Sequence, residues 1–116
     1  MEAAIIVLGL AAIGGVTLAG IRLSGTPRPP TWMALGHGAV ALVGLILLGN
    51  LWQSSSLPWL AQVAFGTMVL AALGGLTMFL GFHLRGLTLP ILLVLGHGLL
   101  AAAGFTMLLL SYFKLA

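Results

Sequence analysis

Two histidines stand where ionisable chemistry is least expected. His37 and His97 lie inside long apolar runs, each within the same four residues, Leu35-Gly36-His37-Gly38 and Leu95-Gly96-His97-Gly98, at an offset of 60 positions. An unpartnered polar group in hydrocarbon is expensive, so a histidine there marks a site by default. Neutral imidazole is a metal ligand through its unprotonated nitrogen, and a pair of them can hold one metal atom between two helices. A third histidine, in Gly81-Phe82-His83-Leu84, falls at the end of another apolar run, where it reads as an interfacial residue.

The histidines need elements to hold them, and composition says what those are. Of 116 residues, 61% are hydrophobic and 4% charged, too few charges to cover a water-facing surface. A membrane-crossing helix takes about 20 mostly apolar residues. The hydropathy pattern predicts four: residues 3–21, 31–51, 58–84 and 89–113. The expected fold class is all-α, an integral membrane four-helix bundle occupying residues 1–116 as a single transmembrane domain. Loop one, from Arg22 to Pro30, is dense in Pro and Gly; loop two, Gln53-Ser54-Ser55-Ser56, is polar and uncharged; loop three, Arg85-Gly86-Leu87-Thr88, is short. The short third connection makes helices three and four antiparallel neighbours.

The chain also repeats itself. A shift of 60 positions aligns Leu10-Ala11-Ala12 with Leu70-Ala71-Ala72, Gly14-Gly15 with Gly74-Gly75, Thr17 with Thr77, Pro30 with Pro90, and the two Leu-Gly-His-Gly segments with each other. Beyond the histidines, Ala41, Gly44 and Leu48 meet Ala101, Gly104 and Leu108. Repeat one is 1–56 and repeat two 57–116, a duplicated hairpin. Two helices per copy leave both copies in the same orientation, related by an axis along the membrane normal. His37 and His97 should therefore share one depth and face a common axis.

A b-type haem suits such a pair, with His37 and His97 as axial ligands to its iron and Gly36, Gly38, Gly96 and Gly98 leaving space for the macrocycle. The second nitrogen of each ring needs a hydrogen-bond partner, for which Thr17, Thr77 or backbone carbonyls are available. Arg22, Arg28 and Arg85 are the cationic candidates for the propionates, with His83 nearby. They also serve as ordinary positive-inside anchors. The competing account is a packing seam, in which the small residues let helices two and four touch and the histidines bond across the contact. Haem needs those helices apart; the seam needs them together. Two histidines alone make a poor zinc or copper site, for which three or four ligands are usual.

In architecture, with paired Leu-Gly-His-Gly segments on two helices, the chain resembles the membrane-embedded four-helix b-type cytochromes. That resemblance implies a bis-histidine haem and electron exchange with quinones or partner redox proteins. One histidine pair implies one haem, so transfer across the whole membrane would need a partner subunit. A haem-free accessory or assembly subunit of a larger membrane complex is the alternative, and a small transporter a further one. Carriers usually place carboxylates in the membrane, whereas the only acid here is Glu2. Asn50 and Gln62 are the polar groups left to contact a transported ligand.

Other classes are excluded by what is missing. With no cysteine, thiolate clusters and covalent haem attachment through a Cys pair are ruled out. Four basic residues in separate places make no nucleic-acid footprint. No Ser/His/acid set, phosphate-cradling motif or carboxylate pair supports catalysis by the chain alone. The expected partners are the bilayer, other membrane subunits or redox partners including quinone, and further copies of the chain. Arg22, Arg28 and Arg85 against Lys114 orient the bundle with loops 22–30 and 85–88 in the cytoplasm and both termini outside, as in a bacterial inner membrane. Trp32 and Trp52, about 30 Å apart along helix two, suit the two interfacial belts.

Overall fold

The computed structural model describes all residues, Met1–Ala116. Four helices, α1 (Glu2–Leu23), α2 (Thr31–Ser54), α3 (Trp59–Met78) and α4 (Ile91–Tyr112), run up and down as one bundle, and α3 continues through a π-helical turn, Phe79–His83. Each, with that turn included for α3, is long and apolar enough to cross a membrane. The bundle measures 43 × 23 × 19 Å.

Proline sets the helix starts. Pro30, Pro58 and Pro90 occupy the N-cap positions of α2, α3 and α4 with φ of −56°, −56° and −63°. The ring holds φ near this value and has no N–H to lose. Their carbonyls accept the first helical bonds from Ala34, Gln62 and Val94. The helices depart from the sequence expectation mainly at α2 and α3. α2 runs three residues beyond Leu51, through Ser54, because Ser54 and Ser55 hydroxyls bond the carbonyls of Asn50 and Leu51 and carry the turn outward. The far end of α3 is widened, closing with a Leu84 N–H to Phe79 carbonyl bond.

Packing follows the hairpins. α1 lies along α2 and α3 along α4, and the hairpins join through α1 against α4 and α2 against α3. That cyclic order places α2 and α4 on one diagonal and α1 and α3 on the other. Small residues make the close approaches. A Cβ on Gly44 would stand 2.6 Å from Leu8, and one on Gly104 would stand 2.5 Å from Met68 and 3.2 Å from the Ala64 carbonyl oxygen. The sixty-residue shift is thus visible in contacts, since Gly44 and Gly104 correspond, as do Leu8 and Met68.

The core has two parts. Ala4, Leu8, Leu48, Leu57, Ala61, Ala64, Met68 and Leu108 fill the end that holds both termini, and a smaller group of Met78, Leu89 and Val94 fills the arginine-bearing end. Between them no side chain is fully buried in 12–23 of α1, 31–43 of α2, 72–77 of α3 or 95–103 of α4. This loosely filled level is where the histidines lie.

Candidate functional site

His37 projects from α2 and His97 from α4 toward the bundle axis, their ring centres 6.2 Å apart with planes at 90°. Both are half-buried. The shared level and common axis expected from the repeat are therefore present.

Each ring is anchored by the other helix of its own hairpin. His37 Nδ1 donates to the Ala11 carbonyl at 2.8 Å and His97 Nδ1 to the Ala71 carbonyl at 2.6 Å. A carbonyl oxygen only accepts, so Nδ1 carries the proton; in the neutral ring Nε2 then holds the lone pair. That is the tautomer a metal needs when the distal nitrogen is the ligand. Thr17 and Thr77, considered above as partners, instead bond the carbonyls of Ile13 and Leu73 in their own helices. Of the two partner types expected, the backbone carbonyls take the rings.

Glycine makes the anchoring possible. Gly15 and Gly75 lie one helical turn beyond Ala11 and Ala71, and a Cβ on either would stand 3.0 Å and 2.9 Å from Cε1 of His37 and His97 respectively. The glycines adjoining the histidines behave differently. At Gly36, Gly38, Gly96 and Gly98 a Cβ would meet nothing within 4 Å, and all four are exposed. They slim the flanks of α2 and α4, while Gly15 and Gly75 touch the rings. In the sequence Gly14-Gly15 and Gly74-Gly75 stand out only as matching positions of the repeat, with nothing to show that they lie under the imidazoles. The recurrence of Gly-Gly and Gly-His-Gly at the same offset was the signal that could have paired them.

The arginines bind the hairpins to each other at the opposite end from the termini. Arg22 Nε donates to the Leu89 carbonyl at 2.8 Å, and Arg28 Nη1 to the His83 carbonyl at 3.3 Å. The Leu89 N–H reaches the Pro27 carbonyl at 3.1 Å. Arg85 is exposed. His83 is buried, 5% exposed, stacked on Phe79 at 5.3 Å, with Nε2 3.0 Å from the Thr31 hydroxyl. It is a joint between α2 and the end of α3.

At the terminal end, the Tyr112 hydroxyl donates to the Glu2 carboxylate and ties α4 to α1. Gln62 bonds the Leu57 carbonyl beside it at 2.8 Å, which starts α3. Asn50 lines a shallow pocket of about 270 Å³ between α1 and α2. No three residues among His, Asp and Glu come together as a metal-ion cluster.

Fold and site together define a class: a four-helix bundle of transmembrane type, built from a repeated hairpin, with one imidazole from each repeat at its axis. No family model, curated protein or solved structure matches the chain.

Proposed function

We propose that this chain is a membrane electron-transfer protein, or the electron-transfer subunit of a larger complex, that binds one b-type haem between His37 and His97. The observation that carries the reading is the interrupted core: beyond the small buried residues Ala11 and Ala71 the four helices leave a stretch without a buried side chain, and the two imidazoles meet at its edge from diagonal helices. A close seam between α2 and α4 fits poorly with that diagonal placement.

The donor set agrees with the group. Two neutral imidazoles with ring centres 6.2 Å apart could hold one metal atom between them. When bound, the haem supplies a one-electron couple between ferric and ferrous iron. His37 and His97 would hold it through Nε2. The Ala11 and Ala71 carbonyls fix the ring orientation and raise the basicity of the ligating nitrogen. Arg22 spends one N–H on a backbone carbonyl, which leaves further guanidinium donors for a propionate.

One histidine pair gives one haem, so electrons would pass to a quinone or a redox protein in the same half of the membrane. The arginine count supports an orientation with loops 22–30 and 85–88 in the cytoplasm and both termini outside, in a bacterial inner membrane.

A dithionite-reduced minus oxidised spectrum of the protein in mild detergent tests this directly. A sharp α-band and a Soret shift, lost in both His37→Ala and His97→Ala, are expected. A flat spectrum from folded protein produced with ample haem would reject it and leave a haem-free accessory subunit as the better account.

A further inference from the structure

We infer that the arginine-bearing end holds a binding site for a phosphate group, formed by Arg28, Thr31 and His83 and separate from the histidine pair. A pocket of about 280 Å³ opens there, bounded by Pro27, Arg28, Pro29, Pro30, Thr31 and His83, with no large apolar side chain in its wall. That volume lies just under the range of about 300–1,000 Å³ typical for sites that enclose drug-sized ligands, and it suits one charged headgroup. Its wall is preset. Three prolines fix the backbone of loop one, Arg28 is pinned on the His83 carbonyl, and the Thr31 hydroxyl is held by buried His83.

Charge selects an anion. Arg28 is a permanent cation whose guanidinium keeps free donors after its one carbonyl bond, and its fork matches a phosphate. Nothing in the chain neutralises it, because the single acid, Glu2, is bonded to Tyr112 at the other end of the bundle. The pocket sits beside Trp32, the first-turn residue that suits an interfacial belt, at the level where lipid phosphates are found. The phosphate is therefore that of an anionic lipid headgroup or a free phosphate ion.

The test uses the full chain in mild detergent, with thermal unfolding followed as dioctanoyl phosphatidylglycerol, dioctanoyl phosphatidylcholine or inorganic phosphate is titrated. Wild type, Arg28→Gln, Arg28→Lys and Arg85→Gln are compared, each first shown to be folded by circular dichroism. Saturable stabilisation is expected, weakened roughly tenfold or more in Arg28→Gln as a charge-assisted bond is lost, with Arg28→Lys between and Arg85→Gln unchanged. A response to phosphatidylglycerol that inorganic phosphate does not reproduce assigns a lipid headgroup; equal responses assign the free ion. Absence of saturable binding by either probe, or equal weakening in Arg28→Gln and Arg85→Gln, overturns the site. Neither readout involves haem, so the outcome is independent of the electron-transfer proposal.

Discussion

At the scale of single residues, the glycines divide into those that touch something and those that do not, and this separates their expected substitutions. In Gly75→Ala the new methyl would press on Cε1 of His97 from 2.9 Å. An imidazole with its Nδ1 already bonded at 2.6 Å cannot yield without losing that bond. Overpacking of this kind costs about 1–3 kcal/mol, so Gly75→Ala should lower the melting temperature and, on the haem reading, weaken haem retention measured by titration into the apoprotein. Gly96→Ala and Gly98→Ala should leave both unchanged or gain slightly, since a helical glycine replaced by alanine in open space gains up to about 1 kcal/mol. Equal losses at Gly75 and Gly98 would contradict the anchoring geometry. The histidines themselves were legible in the sequence as isolated polar groups repeated at one offset. Their Nδ1 partners were not, because a backbone carbonyl has no residue type to recognise.

At the scale of helices, proline and hydropathy delimit the elements, and the starts of α2, α3 and α4 lie within two residues of expectation. The π-helical turn at the end of α3 carried no such mark. It ends at His83, whose ring meets Thr31 of another helix, a tertiary bond that the local pattern Gly81-Phe82-His83-Leu84 does not reveal. Helix contacts give a second prediction. A Cβ at either glycine first meets a flexible side chain, Leu8 or Met68, but Gly104 also has two backbone atoms close by, the Ala64 oxygen at 3.2 Å and the Met68 nitrogen at 3.3 Å, where Gly44 has the Leu8 nitrogen at 3.4 Å. Side chains move aside and backbone does not. Gly104→Ala should therefore be the more destabilising, by about 1 kcal/mol or more relative to Gly44→Ala on the scale of core overpacking. Denaturant unfolding of both variants in the same detergent checks the order, and a larger loss at Gly44 would show that α3 and α4 can separate more easily than α1 and α2.

At the scale of the whole molecule, the repeat becomes a pair of hairpins clasped at both ends. Arg22, Arg28, His83 and Thr31 act at one end and Glu2 with Tyr112 at the other. Loops one and three share an end, and the chain has no native cysteine, so single cysteines report topology cleanly. Thr26→Cys and Thr88→Cys should be labelled by a membrane-impermeant maleimide from the same side, and Ser55→Cys only from the other. Labelling of the first two in inside-out vesicles alone would match the orientation expected from the arginines; labelling in intact cells alone would reverse it.

The sequence alone determined that the chain forms four membrane-length helices, that they are two copies of one hairpin, and that His37 and His97 share a level. Those properties follow from hydropathy, proline placement and an offset, which are all written along the chain. Only the tertiary structure decided that α2 and α4 lie on a diagonal, that Ala11 and Ala71 hold the rings, and that the core is interrupted around them. The reason is that helices apolar on every side carry no stripe to say which face turns inward. Facing is then settled by where glycine and alanine let backbones approach, and that depends on all four helices together.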